Sequence, residues 1–141
     1  MMKYRLLLLL LVFPTLAGRL LAQASDAKNA VHEPKLVCDA PVYNFGKVTQ
    51  SAVVTNVFII RNDGDTTFVA GRPQATCSCT QVRLSKRIIG PGETAELTAV
   101  FTAARRAGEQ RKNIYLPPSD SDDPALILCL QGFVERPAES R

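Results

Sequence analysis

Two cysteines stand one residue apart in Ala75-Thr76-Cys77-Ser78-Cys79-Thr80, and no other side chains in this sequence are better placed to do chemistry. Two thiolates on one face of an extended segment suit a soft ion such as Cu(I), which prefers sulfur and accepts few ligands. The same pair suits reversible dithiol chemistry. Residues two apart in a strand have Cα atoms roughly 6.5–7 Å apart, against about 4.4–6.8 Å in ordinary disulfides. A Cys77–Cys79 bond therefore needs a bend, and a strained disulfide is the more easily reduced. The third role is structural. Catalytic thiol exchange lacks its usual support, a C-x-x-C spacing at a helix start that lowers a thiol pKa. A closed zinc site takes four ligands, and only Cys38, Cys129 and His32, the single imidazole, are left to complete one.

Other chemistry is sparse. One histidine, placed before the patterned region, builds no Ser/His/Asp or Cys/His arrangement, and no glycine-rich phosphate loop is present. Asp120, Asp122 and Asp123 lack the glycine and terminal glutamate of a calcium loop and read as a solvated connection. No catalytic residue is assigned. The cofactor expectation is none, with copper on Cys77 and Cys79 as the alternative.

The start of the chain bears on what thiols do. Lys3 and Arg5 precede an apolar run from Leu6 to Val12, and Ala22-Gln23-Ala24 forms an A-x-A-like cleavage site. Those are the parts of a signal peptide over residues 1–24. Pro14, Gly18 and Arg19 break the run short of the roughly 20 residues a spanning helix needs, so no stable membrane span is expected after cleavage. The expected location is exported, periplasmic or extracellular. Of 17 basic residues, loss of Lys3, Arg5 and Arg19 leaves 14 against 13 acidic ones. The basic balance belongs to the leader, which removes the main support for a nucleic-acid partner. Lys86-Arg87 and Arg105-Arg106 remain as charged loops, read as solubilising.

The elements that must position these residues are short and β-rich. Residues 25–34 read as a flexible leader, 35–136 as one domain, and 137–141 as a disordered tail. Pro41 confines the first strand, "KLVC…PVYNFG", to an edge or a strand start. In "AVVTNVFIIR", Val54, Phe58 and Ile60 share one face and Val53, Val57 and Ile59 the other, which predicts a central strand covered on both faces. "NDGD" is a tight turn, and Pro91-Gly92 fits the centre of a type II turn. "TAELTAVF" places Ala95, Leu97, Ala99 and Phe101 inward. Tyr43, Phe45, Phe58, Phe68, Phe101 and Phe133 are read as core or near-core. Seven or so strands in about 100 residues predict an all-β, immunoglobulin-like antiparallel β-sandwich.

Phe45-Gly46-x-Val48, Phe58-x-Ile60-x-Asn62-x-Gly64, Thr76-Cys77-Ser78-Cys79-Thr80, Ile89-x-Pro91-Gly92-Glu93, Gly108 and Leu130-x-Gly132-x-Val134 follow one another in order. This succession resembles the bacterial family called domain of unknown function 1573, exported immunoglobulin-like domains related in architecture to major-sperm-protein and ASH-type modules. The resemblance implies a fold, export and no established activity. Its signature falls on Phe45, Gly46, Asn62, Gly64, Cys77, Cys79, Thr80, Pro91, Gly92 and Gly132. Ser78 stands where the family usually has glycine, so a turn relying on positive φ would be strained there.

An exported chain with four cysteines usually oxidises them, and three full connectivities exist. Cys38 in the first strand and Cys129 in the last are expected to pair, since those strands can run side by side in such sandwiches. That bond would close nearly the whole domain, worth about 4–5 kcal/mol in the chain-entropy model. The expected function is non-catalytic binding or structure in the cell envelope through a strand edge or loops, toward an envelope protein or polymer. The alternative is a Cu(I)-binding or thiol-redox protein centred on Cys77 and Cys79.

Overall fold

Pro41 lacks an amide donor and so interrupts strand pairing, and at this point the chain passes from one sheet to the other. The computed structural model describes residues 32–136. The expected signal peptide, residues 25–31 of the leader and the tail 137–141 lie outside the described residues. The strands are β1 (Leu36–Val37), β2 (Val42–Thr49), β3 (Val53–Asn62), β4 (Phe68–Val69), β5 (Gln74–Ala75), β6 (Thr80–Leu84), β7 (Ile88–Ile89), β8 (Thr94–Thr102), β9 (Gly108–Leu116) and β10 (Leu126–Glu135). They build two four-stranded sheets, β1-β3-β8-β6 and β2-β10-β9-β5, with β4 and β7 as a small third pair. The result is the expected immunoglobulin-like β-sandwich. One pair departs from antiparallel order: β2 runs parallel to β10.

The core forms where the inward faces of the two sheets meet. Val54, Phe58 and Ile60 of β3 and Ala95, Leu97, Ala99 and Phe101 of β8 are buried, as are Ile114, Leu116, Leu128, Leu130 and Val134 of the other sheet. The expectation that β3 is covered on both faces does not hold. Val53, Val57 and Ile59 are 62%, 45% and 52% exposed. No further layer lies over that face among the described residues, and β1 meets β3 only at Asn62 and Arg61. Tyr43 and Phe133, 36% and 40% exposed, also lie outside the core, because each sits on strands whose inward positions are held by other side chains.

A bulge in β2 explains three signature residues together. Between the Gln131/Asn44 and Phe133/Lys47 pairs the β2 side carries one extra residue, and Gly46 takes φ +67° there, a conformation glycine adopts at little cost. The bulge turns Phe45 inward, where its ring stacks on Phe101 with centroids 5.4 Å apart. The Phe45 ring also packs against Gly132. A Cβ on Gly132 would stand 2.3 Å from the Phe45 ring and 2.6 Å from the Gly46 carbonyl.

Asn62 gathers four further segments. It is fully buried. Its Oδ1 accepts from the amides of Lys35 (3.1 Å) and Gly64 (3.0 Å), and its Nδ2 donates to the carbonyls of Thr66 (2.8 Å) and Ile89 (2.9 Å). Its backbone N–H donates to Glu93 O and its carbonyl accepts from Gly92. The Gly90–Glu93 turn closes through Glu93 N–H to Gly90 O at 3.0 Å, with Gly92 at φ +73°, which is the type II geometry read from Pro91-Gly92. Lys86 and the Gly90 amide hold the Glu93 carboxyl below its usual range. Glu33 and Pro34, assigned to the leader by sequence, lie directly over Gly64, whose added Cβ would meet the Glu33 carbonyl at 2.3 Å. His32 reaches Asp65 beside them.

Two substitutions test this account. Asn62→Ala deprives four backbone groups of their partner and is expected to cost about 2–4 kcal/mol, read by denaturant unfolding. Gly132→Ala forces Phe45 off its seat and is expected to cost roughly 1–3 kcal/mol. A loss below about 0.5 kcal/mol in either variant would contradict the packing described.

Candidate functional site

Thr76 to Cys79 carry the chain from β5 of one sheet to β6 of the other, so the cysteines sit at a crossing between layers. Thr76 is pinned to β9 by its amide donating to Asn113 O (3.0 Å) and its hydroxyl accepting from the Asn113 amide (3.2 Å). Thr80 N–H donates to Cys77 O at 3.0 Å, which closes a β-turn with Ser78 and Cys79 at its centre. The Cα atoms of Cys77 and Cys79 come to 5.1 Å, and their sulfurs are bonded. The turn supplies the bend that an extended segment would lack. Ser78 fits because this turn asks for no positive φ: among the described non-glycine residues only Arg105 has one, at 62°.

Two donors converge on one sulfur. The Cys79 amide lies 3.1 Å from Cys77 Sγ, and Arg106 Nη2 lies 3.3 Å from the same atom. Arg106 is held in turn by Nη1 donating to Ala104 O (3.1 Å) and by its carbonyl accepting from Gln50 Nε2 (2.6 Å). Cys79 Sγ has only the Thr80 hydroxyl, at 3.8 Å. Nearby, Lys112 lies over the Phe101 ring at 5.8 Å. Burial, and secondarily the charge of Arg106, hold its ammonium below the usual lysine range. From the sequence, Arg106 is expected only to solubilise its loop. No spacing pointed to its partner, since 29 residues separate it from Cys77.

The expected Cys38–Cys129 bond is not formed, and both thiols are unbonded. The first strand is split. Its β1 part pairs with β3, whereas its β2 part is the one that lies beside β10. Cys129 stands opposite Val42, with its amide bonded to Pro41 O, whereas Cys38 lies in the passage between the sheets, ahead of β2. Cys129 is buried, its thiol facing Leu130 O at 3.6 Å. Burial raises the Cys38 thiol pKa. The bond that does form encloses three residues and contributes roughly 1.5 kcal/mol in the chain-entropy model, far below a domain-wide closure. While it is intact neither sulfur is a thiolate, so a soft metal on Cys77 and Cys79 requires reduction first. Among the described residues no three His, Cys, Asp or Glu side chains cluster as metal ligands, and no helix is long and apolar enough to cross a membrane.

The signature residues thus fall into three groups. Asn62, Gly64, Pro91 and Gly92 build the Asn62 junction; Phe45, Gly46 and Gly132 build the bulge; Cys77, Cys79 and Thr80 form the cysteine turn. The family profile described as protein of unknown function (DUF1573) matches residues 36–134. The chain belongs to this family.

No curated protein sequence matches the chain. Among solved structures, a protein of unknown function from Porphyromonas gingivalis W83 aligns with a TM-score of 0.58 and 11% identity, over 71% of this chain and 46% of that one. The VesB protease of Vibrio cholerae aligns with a TM-score of 0.56 and 12% identity, over 70% of this chain and 32% of the protease. The ASH/PapD-like domain of human CEP192 aligns at 0.49 and 12%, over 74% and 87%. At such identities the likeness is one of fold, and this chain spans less than half the length of the first two.

Alkylation of the denatured, unreduced protein is expected to label Cys38 and Cys129 and to leave a peptide closed between Cys77 and Cys79. Recovery of Cys38 joined to Cys129 would reverse the assignment. Replacing both Cys77 and Cys79 with serine should lower stability by less than about 2 kcal/mol.

Proposed function

We propose that this protein is an exported, non-catalytic module of the bacterial cell envelope that takes an extended segment of an envelope protein along the open edge of β3. One observation carries the reading: from Val53 to Ile60, β3 has no strand paired on the side away from β8, and exposed Val53, Val57 and Ile59 line its outer face. Natural sheets usually guard such edges with charges, bulges or covering segments. The other edges here are guarded in those ways. β2 carries the Gly46 bulge and Lys47, β6 carries Arg83, and β9 beyond the short β5 carries Glu109, Arg111 and Lys112.

The open edge also borders a groove of about 260 Å³ between Cys38–Tyr43 and Asn56–Ile59. Backbone pairing along β3 would supply affinity, and alternate side chains of the incoming segment would meet Val57 and Ile59. The signal-like residues 1–24 support export. The thiol alternative draws on a separate observation, the Arg106 contact, developed below.

A photo-crosslinking side chain at position 59, introduced in the cells that export the protein, is expected to capture a defined envelope protein. The same group at Gln81, on guarded β6, is expected to capture far less. Val57→Lys should suppress the capture while leaving stability within about 0.5 kcal/mol, since the position is exposed. Equal yields from positions 59 and 81, or capture indifferent to Val57→Lys, would sink the proposal.

A further inference from the structure

The contact between Arg106 and Cys77 is independent of the strand edge and points to chemistry of its own. We infer that the Cys77–Cys79 disulfide is an exchange site for thiols, opened with Cys79 as the attacked sulfur and Cys77 as the leaving thiolate. Three features carry this. Both cysteines are partly exposed, Cys79 with one side against the core, on a turn whose central Ser78 is exposed, so the bond lies at the surface within the approach of a small thiol. The donors are asymmetric, with a guanidinium and an amide on Cys77 Sγ and only a distant hydroxyl on Cys79. Arg106 forms no ion pair with a carboxylate among the described residues, so its charge remains available to a thiolate, which neighbouring cations stabilise.

The step balances with an external thiol of the glutathione type as reductant. Its thiolate attacks Cys79 Sγ, forming a mixed disulfide as the Cys77–Cys79 bond breaks. The bonding pair leaves on Cys77 Sγ, held by Arg106 and the Cys79 amide. A second external thiolate attacks the sulfur of the bound thiol, releases the oxidised dimer and leaves Cys79 as thiolate, which takes a proton from water. Two electrons pass from two thiols to one protein disulfide. Oxidation runs the sequence backwards. Exchange follows the leaving group, a lower thiol pKa leaving faster, which is why the position of Arg106 bears on rate.

The test uses the full exported protein in glutathione buffers of graded reduced-to-oxidised ratio, quenched with an alkylating agent and read by peptide mass. The wild type is expected to open Cys77–Cys79 within the range of those buffers, with Cys79 carrying the mixed disulfide. Arg106→Gln should slow opening roughly three- to tenfold, and Arg106→Lys should restore much of the rate. Resistance of the wild type at every ratio, or a mixed disulfide on Cys77, would overturn the inference. Should Arg106→Gln fail to fold, the reduced wild type still decides the matter. Cys77 is expected to alkylate at lower pH than Cys79, and coincident pH profiles would refute the assignment.

Discussion

The buried amide of Asn62 is the constraint on which much of this sandwich rests. A fully buried carboxamide is tolerated only when its donors and acceptors are satisfied, and here they find backbone partners on the N-terminal segment, on the loop that follows β3 and on β7. That requirement sets where the N-terminal segment crosses, where β3 ends and how the Pro91-Gly92 turn closes. Gly64 must be glycine because Glu33 and Pro34 occupy the space a Cβ would fill. The junction therefore stitches loops at one end of the sandwich, where apolar burial alone would leave polar backbone unsatisfied.

At the seam between β2 and β10 the same logic runs through shape. These two strands lie parallel, and the bulge at Gly46 aims Phe45 across Gly132 onto Phe101. Three residues far apart in sequence form one packed unit. The signature shared with the family is thus chiefly a record of folding demands.

What these demands do not explain is where function is sought. The cysteine turn adds little to chain closure, yet it is pinned by Thr76 and Thr80 and faced by a guanidinium. The β3 edge leaves apolar side chains in water with no structural return. One lies at a crossing between sheets and the other on an outer face.

The sequence by itself determined the β-rich pattern, the sandwich class, the inward set Ala95, Leu97, Ala99 and Phe101, the type II turn and the family. These follow from local periodicity and turn chemistry, which act within a few residues. Only the tertiary structure decided the cysteine pairing, the open face of β3 and the meeting of Arg106 with Cys77. Alternation along a strand reports two apolar faces but not whether a second layer covers each. Proximity of Cys38 to Cys129 likewise depended on which half of a Pro41-split strand joined which sheet. Those are outcomes of long-range registry, which residue spacing does not encode.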